Sequence, residues 1–239
     1  MIYIRSVLFF LLAIVTTILF GIFVLPLCFM RFEWGYDSAR GWGTAMLWLA
    51  RRICGIDYTV RGSENVPAHP CVAMSKHQSA WETVFILSML PRAVWIIKKE
   101  LVWLPVIGWV LYALKSIAID RKSGKRAVEQ IEEQGRDRLA QGLWISIFPE
   151  GTRVAPGKRG RYGIGGASLA AKTGTPILPI AHNAGECWRR YAFLKYAGRV
   201  SVSIGPLIPT AGREPGAVIA DVENWIEAEM LKLPPACSG

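Results

Sequence analysis

No charged residue occurs from Ser6 to Met30, a run of 25 positions rich in Leu, Ile, Phe and Val. At about 1.5 Å per residue, a helix of that length crosses a hydrocarbon layer of about 30 Å. A cleaved leader is the rival reading, with Arg5 as its thin basic start. No small-residue cleavage site follows, and the Leu-rich residues before Cys28 are too bulky for a lipoprotein site. The run therefore reads as a permanent anchor. Pro26 lies inside it and leaves two forms open, a full span or a re-entrant hairpin. The stretch 41–50 is also apolar but too short to span, with tryptophans inside it and arginines on both flanks. An interfacial amphipathic helix and a buried core helix both fit it.

Beyond Arg52 the pattern changes to short apolar runs alternating with helical periodicity. Strands are expected over 58–61, 71–74, 93–97, 116–119, 143–148, 177–181 and 200–204. Helices are expected over 80–90, 125–141, 166–172 and 216–233, with Gly142 and Gly174 placed as C-caps. Strands alternating with helices predict an α/β fold, a largely parallel mixed sheet flanked by helices. The organisation is then an N-terminal membrane anchor of hydrophobic helices over 1–54 and a single catalytic domain over 55–239. Arg31, Arg40, Arg51 and Arg52 follow the anchor and only Arg5 precedes it, which puts the domain on the cytoplasmic side.

The chain has 239 residues and a net charge of +10, a balance that favours an anionic partner: nucleic acid, phosphorylated metabolites or acidic lipid. Cys28, Cys54, Cys71, Cys187 and Cys237 are scattered, with no Cys-x-x-Cys pair and no histidine pair at ligand spacing. Neither a disulfide framework nor a metal site is suggested, and the domain belongs in a reducing compartment.

Among the three histidines, only His77 has a carboxylate at short range, Glu82, in a strand-to-helix setting. On one continuous helix the two side chains would point about 140° apart, so they meet only across a bend. Ser79-Ala80-Trp81-Glu82 reads as a capping box that supplies one. Two readings stand: an acid–base pair, or a loop histidine beside a helix cap. Phe148-Pro149-Glu150-Gly151-Thr152-Arg153 follows another strand, at the sheet edge where α/β proteins bind ligands, and Arg153 offers a planar fork suited to phosphate. An ordinary turn with a surface ion pair is the plain alternative. Lys98 or Lys99, Arg121 and Arg153 end three strands, and a shared edge would make a basic rim. Two further stretches are set aside. Gly166–Thr173 lacks the second glycine of a phosphate-binding loop. The Lys158–Arg159–Arg161 cluster has no nucleic-acid fold signature around it and suits lipid headgroups or an acidic acyl carrier.

In this order the motifs resemble those of the membrane-bound glycerolipid acyltransferases, nearest the bacterial 1-acyl-glycerol-3-phosphate (lysophosphatidic acid) acyltransferases. Their His-x4-Asp motif looks like His77 to Glu82, a His-x4-Glu here. Their second motif matches Lys98-x2-Leu101-x6-Gly108-x12-Arg121, their third Glu150-Gly151-Thr152-Arg153, and their Pro-x-x-Pro run Pro176 to Pro179. Glu82 stands where the family usually has Asp, and Lys76 where many members have Asn, which puts any side-chain amide contact from that position in doubt. The resemblance implies an O-acyltransferase that moves a fatty acyl group from acyl-CoA or acyl-carrier protein to the sn-2 hydroxyl of lysophosphatidic acid, giving phosphatidic acid for phospholipid biosynthesis. His77 is then the general base and Glu82 its orienting partner. Lys98, Arg121, Glu150, Gly151, Thr152 and Arg153 are expected around the acceptor, and backbone N–H groups near Ser79 at the oxyanion. No metal and no bound cofactor is implied, and the place of work is the cytoplasmic face of a bacterial inner membrane. The same chemistry on another lyso-lipid, or a non-enzymatic membrane-tethered basic adaptor, are the alternatives.

Overall fold

The computed structural model describes residues 1–237, so positions 238 and 239 of the expected domain lie outside the described residues. Two helices come first, α1 (Ile2–Met30) and α2 (Phe32–Leu49), with a wide turn over Ala50–Cys54. Pro26 does not end α1; the chain turns at Arg31, whose backbone is extended (φ −151°, ψ 125°). The result is a helical hairpin in which Phe20 stacks on Trp42. The stretch 41–50 lies mostly in the second half of α2, which buries Met46 and Leu47 and leaves Trp48 exposed. The buried-core reading thus holds for one face of the helix, and Trp48 stands on the other.

Seven strands follow: β1 (Ile56–Arg61), β2 (Val72–Ser75), β3 (Ala93–Lys98), β4 (Ile117–Ile119), β5 (Trp144–Ile147), β6 (Ile177–His182) and β7 (Gly198–Ile204). Their order in one sheet is β1-β7-β6-β2-β5-β3-β4. Every pairing is parallel except β6 with β7, so the sheet is the mixed, largely parallel one expected. The helices after α2 are α3 (Trp81–Met89), α4 (Ile107–Ala113), α5 (Lys125–Ala140), α6 (Gly165–Thr173), α7 (Ala184–Cys187) and α8 (Pro215–Met230). Of these, α4 and the short α7 were not expected from the pattern.

Strand side chains alternate between two apolar layers. Val94 and Ile96 of β3 join Ile131 of α5, Leu169 of α6 and Val222 of α8 on one face. Trp95 and Ile97 join Trp81 and Phe85 of α3 on the other. Burial on both faces is why the central strands β2, β3, β5 and β6 read as largely apolar runs, each enclosed large apolar side chain contributing about 1.5–3 kcal/mol. Phe9 of α1 and Tyr36, Met46 and Leu47 of α2 belong to the second layer too. Residues 2–54 are therefore packed into the sheet's own core. Tyr36 Oη donates to the Ala93 carbonyl (3.1 Å) and accepts from the Ala93 N–H (2.8 Å). Much of the outer face of α1 stays exposed, including Leu8, Leu11, Val15, Leu19 and Phe23. It is the one helix among the described residues long and apolar enough to cross a membrane.

Candidate active site

The chain leaves β2 at Ser75 and reaches α3 at Trp81 through a five-residue loop carrying His77. That loop is held from both sides. The Lys76 N–H donates to the Ile180 carbonyl of β6 (3.0 Å), and the Val154 N–H donates to the His77 carbonyl (2.8 Å). His182 Nε2 donates to the Lys76 carbonyl at 2.8 Å, while its Nδ1 accepts the Ala184 N–H at 3.2 Å. These partners set the His182 tautomer. Burial lowers its basicity, outweighing the opposite pull of the Glu82 charge, so this imidazole is neutral at pH 7.

Glu82, in the first turn of α3, is wholly buried. Its Oε1 lies 2.8 Å from His77 Nδ1 and accepts the N–H groups of Gln78 (3.0 Å) and Ser79 (2.8 Å). The bend before α3 thus brings together two side chains that a straight helix would keep apart. Ser79 Oγ accepts the Trp81 N–H (3.0 Å), so the capping-box carboxylate and the histidine partner are one group. Burial raises the Glu82 carboxyl, but the neighbouring imidazoles of His182 and His77 and the Ser79 N–H outweigh it, and the net shift is downward. The group is a carboxylate at neutral pH. Because the Gln78 and Ser79 N–H groups are bonded to Glu82, they are not available to an oxyanion, which corrects the expectation for Ser79.

The His77 ring lies flat on Phe148, with centroids 3.9 Å apart and 10° between planes, and Phe148 in turn stacks near Trp95 (5.7 Å). With Nδ1 bonded to Glu82, Nε2 has no protein partner among the described residues. His77 lines an apolar cavity of about 410 Å³ that runs in among Phe20, Trp42, Leu87, Trp95 and Leu114. Arg121 and Arg153 line its polar end. A second, more open groove of about 750 Å³ runs between Phe10, Ile14 and Ile18 of α1 and the 188–195 segment. The two cavities share Thr17, Ala80, Val106, Ile107 and Arg153. At this junction Val106 has φ 65° and ψ −64°, and the Ile107 N–H donates to the Pro105 carbonyl at 2.7 Å. That is a positive-φ γ-turn, a strained form.

The remaining expected residues divide. Arg153 is half-buried and faces both cavities. Arg121 reaches the cavity and also donates to the Gly151 carbonyl, bracing the loop where Gly151 takes φ +65°. Thr152 is exposed on that loop. Lys98 sits at the exposed end of β3, 3.2 Å from Glu100, and does not line the His77 cavity. Glu150 turns inward: its side chain is buried with Lys76 Nζ at 2.7 Å, and Oε2 accepts the His77 N–H at 2.9 Å. It is not among the residues that line the His77 cavity. The residues that the motifs left without a role are Lys76, His182, Tyr162 and Glu227. Only the departure at Lys76 was visible as a signal.

The family described as Acyltransferase matches residues 57–183. A 1-acyl-sn-glycerol-3-phosphate acyltransferase from Pseudomonas aeruginosa is 40% identical over 97% of this chain and 92% of its own length. The 1-acyl-sn-glycerol-3-phosphate acyltransferase alpha of Bos taurus is 33% identical over 73% of this chain and 62% of its own. The crystal structure of the 1-acyl-sn-glycerophosphate (LPA) acyltransferase from Thermotoga maritima shares the fold, with a TM-score of 0.83 over 99% of this chain and 97% of that one, at 23% identity. A paired histidine and carboxylate beside an apolar cavity, together with likeness along nearly the whole of a curated relative, place this chain in the 1-acyl-sn-glycerol-3-phosphate acyltransferase family.

Proposed function

We propose that this chain acylates the free sn-2 hydroxyl of 1-acyl-glycerol-3-phosphate from a thioester donor, acyl-CoA or acyl-carrier protein, with His77 as general base. The observation that carries the assignment of roles is the His77–Glu82 pair at 2.8 Å, beside an apolar cavity that His77 lines together with Arg121 and Arg153. Glu82 holds the Nδ1 proton, so Nε2 presents its lone pair to the hydroxyl. As the proton moves to Nε2, the alkoxide oxygen attacks the thioester carbonyl carbon. Collapse of the tetrahedral adduct breaks the C–S bond, and the imidazolium returns its proton to the departing thiolate. The carboxylate stabilises the imidazolium between these steps. The apolar cavity takes the transferred acyl chain, and Arg153 and Arg121 take the acceptor's phosphate, as guanidinium forks do.

The acceptor reaches the site from the bilayer. Ser6 Oγ of α1 accepts the Lys195 N–H at 3.0 Å, and Val106 packs against Gly21 near the other end. Both halves of α1 therefore rest on the domain, so a perpendicular span would draw the domain into hydrocarbon. The helix instead lies in the leaflet facing the cytoplasm, its apolar face toward lipid.

Thiol release by detergent-purified protein, with acyl-CoA and acyl-carrier protein run against a panel of lysolipids, tests this reading. Release that requires lysophosphatidic acid is expected, and His77→Ala should lower turnover by about 10²–10⁴-fold in folded protein. Near-normal turnover in that variant removes His77 from the chemistry, and equal rates with unphosphorylated acceptors remove the phosphate site.

A further inference from the structure

Beside the base lies a charge that the chemistry just described does not use. Lys76 is only 1% exposed, and ammonium groups are enclosed so completely only where carboxylates answer them. Two do. Lys76 Nζ is 2.7 Å from Glu150 Oε1 and 2.8 Å from Glu227 Oε1 of α8. It also donates to the Lys158 carbonyl at 3.3 Å. Tyr162 Oη donates to the same Glu227 oxygen at 2.8 Å, and the Gly160 N–H donates to Glu150 Oε1 at 3.1 Å. The far oxygen of Glu150 accepts the His77 N–H. A chain of charge-assisted bonds therefore runs from α8 through Lys76 and Glu150 to the main chain of the base. Lys76, Glu150 and Glu227 line neither cavity at the site.

We propose that Lys76 is a positioning residue for the acyl transfer. It neutralises and aims Glu150 so that this carboxylate fixes the His77 backbone, and Glu227 fastens the arrangement to α8. Glu150 then serves the base and not the acceptor's phosphate. The assignment rests on His77 as the base.

The charge count supplies the test. One ammonium faces two carboxylates, so its removal sets Glu150 and Glu227 against each other. Removing the Glu227 charge as well leaves Glu150 with its N–H donors alone. In folded protein, Lys76→Met should lower kcat on the order of 10–100-fold, the scale of a small displacement of a reacting group. KM for donor and acceptor should each stay within about twofold, since the ligand surfaces are untouched. Adding Glu227→Gln should recover roughly half of that loss on a logarithmic scale, as coupled neighbours do. The double variant also serves if Lys76→Met alone does not fold, because the repulsion between Glu150 and Glu227 is gone; its kcat should then lie about 3–100-fold below the wild-type value. An unchanged kcat in either folded variant overturns the proposal and makes Lys76 a packing residue. A loss that appears in the acceptor KM also overturns it and returns Glu150 to the acceptor. Failure of the underlying reading is distinguishable, because His77→Ala would then keep its turnover whatever Lys76→Met does.

Discussion

The loop that carries His77 and the helix α1 that lies beside it are held by opposite kinds of force. Around the loop the contacts that fix the main chain are polar, directional and enclosed: Glu82 takes three donors on one oxygen, and His182 and Glu150 grip the two edges of the peptide joining Lys76 to His77. Along α1 the contacts are mostly apolar, the bond of Ser6 Oγ to the Lys195 N–H apart, and half of the helix faces outward: Phe9 meets Trp188 edge-on, Phe10 meets Phe193, and Phe20 stacks on Trp42. Buried polar groups specify one geometry, because every alternative leaves a group unsatisfied. Apolar contacts tolerate sliding. Under the proposed function, a base must be placed to a fraction of an ångström whereas a helix lying in lipid can adjust, and each region has the force suited to that task.

The sharpest way to break that contrast is at Glu82. If its charge matters, Glu82→Gln should lower kcat about 10²-fold, since a neutral amide still accepts N–H bonds but stabilises an imidazolium poorly. Glu82→Asp should stay within about tenfold of wild type, because the charge is kept. Its second oxygen, Oε2, has no partner among the described residues, so a shift of that atom forfeits no bond. Steady-state rates of thiol release decide the matter. Glutamine performing as well as glutamate would reduce Glu82 to a helix cap.

The same division governs what the chain revealed before its structure was known. All seven strands were legible: burial on both faces writes β2, β3, β5 and β6 as apolar runs, and β7 shows as alternating Val and Ser. Helix α4 was not, since Leu104-Pro105-Val106-Ile107-Gly108 carries the punctuation of a loop and its apolar face is explained only by α1 packing on it. Pro26 left a straight span and a re-entrant hairpin both open, and the chain turns at Arg31. In the site, His77, Glu82 and the Glu150–Arg153 loop stood out, because short spacings on a strand end are local. The inward turn of Glu150 was hidden. Its cause is Lys76, whose other partner, Glu227, lies 151 positions further along, and no local pattern connects the two. Lys98 shows the converse: its motif spacing is right, and β3 ends with that side chain in solvent beside Glu100, off the His77 cavity.

The apolar side of the comparison is tested at Gly21, where an added Cβ would come 2.0 Å from Val106 Cγ1. For a helix lying free in lipid, Gly21→Ala should help, since alanine is favoured over glycine by about 0.8–1 kcal/mol within a helix. Docked as it is, the helix should instead be pushed off the strained turn at Val106, at a cost of about 1–3 kcal/mol. Thermal unfolding in detergent should register that loss, with kcat/KM falling several-fold. Val106→Ala in the same chain should recover most of it, giving a coupling of about 0.5–3 kcal/mol in the double-mutant cycle. A stabilised Gly21→Ala protein would show that α1 does not rest on the domain.

The smallest effect is expected at His182, which tests whether the polar side is fastened by a neutral imidazole. Its folded value lies below its ordinary 6.5, because burial disfavours the charged ring. The unfolded chain therefore binds the proton first as the pH falls. Stability is fully present above about 6.5 and is lost as the pH drops from there toward the folded value, at no more than about 1.4 kcal/mol per pH unit. Glu82 acts in a separate window. Its folded value lies below the ordinary 4.5, so its contribution is present above 4.5 and fades only below it. Denaturant unfolding between pH 5 and 8 isolates the histidine. Wild-type protein should lose stability toward pH 5. His182→Asn should start less stable at pH 8, by about 1 kcal/mol for the lost bond to the Lys76 carbonyl, which keeps only the Ser75 hydroxyl as donor, and show a flatter slope below pH 6.5. If the slope were the same in both proteins, the pH dependence would belong to other groups, and the ring could be charged without loosening the loop before His77.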